Sequence, residues 1–388
     1  MSVRQRHMRD FSLRNNHIVI SYNTCWYVYM FRLSLIRALL QKGWRVTVLA
    51  PRDEYSDRVM ETGAAHRDIG LDPKGTNPLR ELASIGKLVA AYRDLSPAIV
   101  LQYTIKPVIY GSIAARVRGI PVINNVTGLG TMFSGGLKEA LVRILYRFAL
   151  SKADLTLFQN PDDHAFFIKE KIVNPERTGL LPGSGVDSVR YAPQPRGEGP
   201  FTFLMAARLL RAKGVEEYLA AARDVRSRHA KTRFVLAGSY DQEDTEYANA
   251  ELLACASRDG IVERHDHVDD IRPLMASADC VVLPSYYREG VPRSLLEAAS
   301  MGKPLIAADS VGTREPVRDG VNGFLCKPRD ASDLARKMEA MIAMSPQQRG
   351  SMGEASRSYM IQRFDERTVI QTYLDAIERL VGYAEKQL

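Results

Sequence analysis

Four side chains in the second half of the sequence have types and spacings that could do chemistry: Arg208, Lys213, Glu289 and Glu297. Arg208 and Lys213 follow the apolar run FTFLMAA (201–207) and stand where a helix should open. A guanidinium fork, a mobile ammonium and the free N–H groups of a helix start together suit a diphosphate. The same residues also fit a solvated basic turn, and spacing alone does not separate the two. Glu289 and Glu297 follow a second apolar run, DCVVLP (279–284), within the stretch SYYREGVPRSLLE. They are too far apart to share one loop as an acid–base pair. Glu289 falls in the loop beside Gly290, which admits a ligand close to the backbone. Glu297 falls one turn into the next helix. Two carboxylates along one wall accept hydrogen bonds from hydroxyl-rich ligands such as a sugar and a ribose. Taken singly, Glu289 is an anion at a helix start and Glu297 a helix-surface carboxylate.

The elements around these residues predict how they are positioned. HIVIS (17–21), RVTVLA (45–50), AIVLQ (98–102), PVINNV (121–126) and DLTLFQ (154–159) read as buried parallel strands. Between the first two, Leu33, Ile36, Leu39 and Leu40 recur at helical spacing, with Gly43 as the stop. The pattern restarts after YAPQPRGEGP (191–200) with FTFLMAA, RFVLAG (233–238), DCVVLP and PLIAAD (304–309), and the chain ends in helical sequence. Strands alternating with helices imply βαβ units and parallel sheets. The expected division is a lead-in over 1–16, an α/β domain over 17–190, a linker over 191–200, a second α/β domain over 201–365 and a helix over 366–388. Ligands of such sheets bind beyond the carboxyl ends of the strands, and the four side chains fall there.

Length and composition exclude several classes. The 388 residues are 45% hydrophobic and 25% charged, an ordinary globular mixture. Cys25, Cys255, Cys280 and Cys326 lie far apart without metal-site spacing, which argues against a disulfide framework or structural zinc and fits a reducing cytoplasm. No apolar run is long enough to span a membrane. The basic N-terminal stretch lacks the apolar core of a signal peptide and reads as a loose lead-in or a misassigned start. The net charge of +8 is uneven: residues 1–190 hold 26 Lys and Arg against 16 Asp and Glu, and the remainder 27 against 29. The positive half calls for an anionic partner such as a phosphorylated substrate or a membrane surface. Nucleic acid is a weaker candidate because no recognition module is visible.

The segment PSYYREGVPRSLLEAASMGKPLIAADSVGTREPVRDGVNGFL resembles the donor site of the retaining family 4 glycosyltransferases, with Glu289 and Glu297 as its E-x7-E motif and Arg208 and Lys213 at its diphosphate grip. The resemblance covers nearly the whole chain. It implies the GT-B fold, with two Rossmann-like domains facing a cleft and the C-terminal helices packing back toward the N-terminal domain. It also implies a nucleotide sugar, UDP-linked, held by the C-terminal domain, with no other cofactor and no metal. Glu297 would then bind the ribose hydroxyls, and Glu289 would face the donor sugar. Gly290, Val291 and Pro292 would shape the sugar pocket. Arg208 and Lys213, with Glu289, would be the catalytic set.

The N-terminal half is similar to a subgroup acting on polyprenyl-diphosphate-linked saccharides in bacterial glycan assembly, through SYNTCWYVYMFRLSLIRALLQKG and TIKPVIYGSIAARVRGIPVINNVTGLGTMF. It lacks the usual glycine pair after the first strand, and the usual histidine is missing from the loop Thr127–Thr131. Asn23, Trp26, Arg32, Thr127 and Gly128 become the candidate acceptor contacts. Trp26, Tyr27, Tyr29, Phe31 and Arg32 read either as an aromatic, basic lip for a lipid-linked acceptor or as core packing. GLKEALVRILYRFALSKAD is amphipathic, with Leu137, Leu141, Ile144, Leu145 and Phe148 on one face. It fits either an anionic bilayer or the protein core. The expected location is the cytoplasmic face of the inner membrane, bound peripherally. His265 and His267 lack a third metal ligand, Asp269 and Asp270 should cap the next helix, and PGSGVD (182–187) should be a turn lining the cleft. A nucleotide-sugar epimerase and an inactive scaffold in polysaccharide assembly are the competing readings.

Overall fold

The computed structural model describes residues 16–71, 78–130, 136–241, 244, 246–266 and 268–385. Residues 1–15, Thr131 and His267, and the side chains of Leu137 and Lys138, lie outside that description. The chain forms two compact units, one through Ser184 and again from Val369, the other Gly185–Thr368.

The first unit carries strands β1 (His17–Ser21), β2 (Arg45–Leu49), β3 (Ala65–Arg67), β4 (Ile99–Tyr103), β5 (Val122–Val126), β6 (Leu155–Phe158) and β7 (Thr178–Leu180). All pairings are parallel, in the order β3-β2-β1-β4-β5-β6-β7. The strands read as continuous apolar runs because helices cover both faces. Alternate residues supply two cores: Ile18, Ile20 and Leu101 enter one, while Val19 and Val100 enter the other. Val369, Tyr373 and Ile377, at helical spacing in the final helix Glu366–Glu385, complete the first of these cores. Thr24 caps the helix Cys25–Gln41 by accepting the Tyr27 N–H, and Gly43 follows its end in the left-handed region at φ +86°.

The second unit carries β8 (Thr202–Ala206), β9 (Arg233–Ala237), β10 (Glu263–His265), β11 (Cys280–Leu283), β12 (Leu305–Ala308) and β13 (Gly323–Cys326), parallel in the order β10-β9-β8-β11-β12-β13. The α/β class is as expected, and the long strands fall within a residue or two of their sequence positions. β3, β7, β10 and β13 are additional. All four lie at a sheet edge, where polar residues such as His66, Thr178 and Glu263 need no burial; β13 has four residues and the others three.

Residues 185–200 pack with the second unit. The Tyr191 carbonyl accepts from Ser300 Oγ at 2.8 Å, Arg196 pairs with Asp279 at 2.8 Å, and Val186 bridges Asp365. Gly185 sits at φ +74°, where a Cβ would lie 2.6 Å from the Glu366 Cα. Asp270 departs from its expected capping role: Ile271 occupies the cap position, and Asp270 instead holds the backbone N–H and guanidinium of Arg272. The four cysteines are free, and no group of three metal-ligating side chains occurs among the described residues. No described helix is long and apolar enough to cross a membrane.

Candidate active site

Strand order reverses between β8 and β11, so the loops that follow them leave the same edge of the sheet side by side. The Ala212 carbonyl accepts the N–H groups of both Tyr286 and Tyr287 at 3.0 Å, fastening one loop to the other. Gly214 stands at φ +80°, and a Cβ there would lie 2.3 Å from the Pro284 carbonyl oxygen. Only glycine allows both the turn and that approach. The loop after β12 closes the third side: Ser310 Oγ donates to the Ser285 carbonyl at 2.5 Å, and a Cβ on Gly312 would lie 1.8 Å from the Gly290 oxygen.

These contacts bring together side chains far apart in sequence. Lys213 Nζ meets Glu289 Oε2 at 2.6 Å and lies 5.3 Å from the Tyr287 ring centre. Ser285 Oγ donates to the other Glu289 oxygen at 2.6 Å. Lys213 and Glu289 are 12% and 11% exposed. Burial pushes the Lys213 ammonium below its ordinary pKa, Glu289 opposes that shift, and Arg208 adds to it. Arg208 is half-buried, and its guanidinium has no hydrogen-bond or ion-pair partner among the described residues. Lys213 thus feels one carboxylate and a second cation, and an entering anion can take Arg208 directly and compete with Glu289 for Lys213.

Gly290, Val291 and Pro292 are buried beside Glu289 and lead into the helix Arg293–Ser300. Glu297 lies on that helix, 6% exposed, with Oε1 held by Arg293 Nε at 2.7 Å. Burial and then the Glu297 carboxylate raise the pKa of the Tyr191 phenol, which keeps it protonated beside Glu297. Glu297 is therefore a positioned, buried carboxylate and not a helix-surface one.

In the first unit, Asn23 follows β1, while Thr127 and Gly128 follow β5, two strands away at the same sheet edge. The Asn23 Oδ1 atom is buried without a hydrogen-bond partner among the described residues. Trp26 is half-buried, and its backbone N–H donates to the Asp53 carboxylate at 2.9 Å. Of the two readings, lip or core, Arg32 falls to the core: it is 2% exposed, lies 4.3 Å from the Tyr103 ring centre and donates to Tyr22 OH at 3.1 Å. Its Nη2 reaches Ser184, which also meets Gln159, and Asn125 donates to Tyr373 OH at 2.7 Å. Tyr103, Tyr373 and Gln159 had no local signal, and Ser184 stood out only as part of the PGSGVD turn. They converge only through the sheet and the returning helix. Ser285, Ser310 and Gly312 flank the recognised motif and were open to detection there.

Residues 17–160 match the family described as glycosyl transferase 4-like, and residues 191–359 match glycosyl transferases group 1. The chain is 27% identical over 373 residues to the N,N'-diacetylbacillosaminyl-diphospho-undecaprenol α-1,3-N-acetylgalactosaminyltransferase of Campylobacter jejuni, covering 91% of this chain and 96% of that one. It is 26% identical over 278 residues to the UDP-Gal:α-D-GlcNAc-diphosphoundecaprenol α-1,3-galactosyltransferase of Escherichia coli, covering 65% of this chain and 68% of that one. Among solved structures, Anabaena HepE superposes with a TM-score of 0.76 at 20% identity over 94% of this chain and 99% of that one. With both parallel sheets and both halves of the sequence matched, the chain belongs to the GT-B glycosyltransferases of the family 4 type.

Proposed function

We propose that the protein transfers a sugar, a hexose or N-acetylhexosamine, from a UDP-sugar to a polyprenyl-diphosphate-linked saccharide, with retention and without a metal. The observation that carries this reading is the half-buried cluster of Arg208, Lys213 and Glu289 at the β8–β11 reversal. The two relatives named above support the acceptor class, and the E. coli one supports the donor class. Arg208 and Lys213 would meet the charge that develops on the leaving diphosphate, the task otherwise given to a divalent cation. In a front-side displacement the acceptor oxygen bonds to the anomeric carbon as the bond from that carbon to the phosphate oxygen breaks. The acceptor proton passes to that phosphate oxygen. Glu289 orients the donor sugar and stabilises its developing positive charge, while Glu297 accepts from the ribose hydroxyls. Asn23, Thr127 and Gly128 contact the acceptor, and buried Arg32 stiffens the floor beneath them.

The test is transfer of radiolabel from a panel of UDP- and GDP-sugars to a polyprenyl-diphosphate saccharide, with and without EDTA. Label entering butanol-extractable lipid from one UDP-sugar, undiminished by EDTA, is the expected result, and the anomeric configuration of the product reads retention. A UDP-N-acetylglucosamine 2-epimerase assignment accompanies another structure of this fold, with a TM-score of 0.65 at 14% identity. Conversion of the free nucleotide sugar with no label in lipid would favour that activity and sink the transferase reading.

A further inference from the structure

We propose that the helix Gly136–Leu150, with the helix Ser112–Arg118 beside it, is a docking face for an anionic lipid bilayer. The proposal deepens the transferase reading and rests on it for the lipid-linked acceptor.

The helix Gly136–Leu150 has two apolar faces, where its sequence led us to expect one. Val142, Tyr146, Ala149 and Leu150 are buried in the core of the first unit. Leu141, Ile144 and Phe148 are 58%, 59% and 57% exposed, and nothing among the described residues covers them. Their i, i+3, i+7 spacing puts them in one stripe. Val117, 66% exposed on the neighbouring helix, is tied to the stripe through Arg116, whose guanidinium lies 5.8 Å from the Phe148 ring centre.

Charge selects the occupant. Residues 112–118 and 136–152 hold six basic residues (Arg116, Arg118, Lys138, Arg143, Arg147 and Lys152) against the single carboxylate of Glu139. Arg143 is committed to Glu139 and Glu170, and Arg147 donates to the Glu170 carbonyl. Arg116, Arg118 and Lys152 are exposed and form no ion pair among the described residues. Separate large apolar side chains rimmed by cations suit the boundary between acyl chains and anionic headgroups. A second copy fits less well, because a two-fold contact would set this basic face against itself.

The test is flotation of the full chain with vesicles of phosphatidylcholine alone and with vesicles containing phosphatidylglycerol. The wild type is expected to float with the anionic vesicles only and to be released by high salt. Leu141→Ser, Ile144→Ser and Phe148→Ser combined should weaken flotation at least about tenfold. Arg116→Glu with Arg118→Glu should do the same, since each cation contributes about fivefold. All five positions are exposed, so thermal midpoints should not move. Transfer to a short-chain, water-soluble acceptor should match wild type in both variants. Absence of transfer to that acceptor even by wild type would count against the transferase reading alone. Flotation unaffected by either variant, equal binding to neutral vesicles, or a wild-type dimer that the apolar variant dissolves would each overturn the docking face.

Discussion

Removing the Lys213 ammonium from its contact with Glu289 tests whether the donor site is held together as the geometry implies. At 2.6 Å and an effective dielectric constant of about 20, the gross attraction is about 6 kcal/mol. Desolvation of both groups offsets much of it. The cost of deleting one partner of such a pair is about 3–5 kcal/mol, because the other charge stays buried. With 12% and 11% of the side chains still exposed, the lower end applies. Lys213→Met should therefore destabilise the second unit by about 3 kcal/mol, or about 6–12 °C in its thermal midpoint. Glu289→Gln should behave differently. Burial and Arg208 both push the Lys213 pKa down, and Glu289 is what opposes them. Without Glu289, the folded chain releases the lysine proton that the unfolded chain keeps. Stability of Glu289→Gln should then rise relative to wild type as pH climbs toward the ordinary lysine value of 10.5. The double variant, Lys213→Met with Glu289→Gln, removes both charges of the pair and should return to within about 1 kcal/mol of wild type. Calorimetry reads the midpoints, and the lipid-transfer assay should find all three variants reduced at least about 100-fold. A double variant as unstable as the two single losses added together would refute the reasoning, since groups that do not meet have no coupling to lose.

Asp365 and the donor loops give two further tests. Burial raises the Asp365 pKa, but hydrogen bonds from Arg367 and Ser188 outweigh it and hold the carboxyl at about 2. The stability it contributes is complete above the unfolded value of about 4 and is lost as pH falls through about 2. Asp365→Asn should lower the thermal midpoint at pH 7, and the gap to wild type should narrow as pH falls across that window; a constant gap would remove the ion pair as its cause. Gly312→Ala places a Cβ 1.8 Å from the Gly290 carbonyl oxygen and 2.3 Å from the Glu289 backbone carbonyl oxygen, whereas a Cβ at Gly320 meets nothing within 4 Å although both glycines have positive φ. Each substitution should cost at least about 1 kcal/mol in backbone strain, but only Gly312→Ala should also depress transfer by more than about tenfold. Equal kinetics for the two variants would show that the close approach does not position Glu289.

The sequence was most legible where local periodicity and short-range chemistry coincide. The long strands announce themselves because parallel strands covered on both faces must be apolar throughout, as in HIVIS and DCVVLP. Arg208, Lys213, Glu289 and Glu297 stood out because each follows such a strand. The edge strands β3, β7 and β10 could not, since three residues carry no periodicity and an edge tolerates His66 or Glu263. The environment of Arg32 was equally hidden: its neighbours Tyr103, Ser184 and Tyr373 come from three distant segments. An arginine after an aromatic run looks the same in sequence whether it faces solvent or lies under a tyrosine ring. The helix Gly136–Leu150 shows the same limit from the other side. Its apolar residues exceed what one buried face can use, and only the packing reveals which of them are left over.

The two units place polar groups at the carboxyl edge of a parallel sheet in contrasting ways. Beyond β8 and β11, the site holds cations near the surface: Arg208 is half-buried and unpaired among the described residues, and Lys213 is paired with a carboxylate that an anion can displace. Beyond β1 and β4, the cation is sealed: Arg32 is 2% exposed, stacked on Tyr103 and satisfied by Tyr22 and Ser184. A displaceable pair suits a ligand whose charge grows during reaction, because the ammonium can follow that charge. A sealed guanidinium cannot move toward a ligand, but it fixes the tyrosines that do border the loops. Arg32→Lys separates the two roles. Lysine keeps the charge but loses the planar stack and the fork, so if Arg32 is a positioning residue the acceptor KM should rise while the donor KM stays in place. Unchanged acceptor kinetics would leave Arg32 as a folding element only.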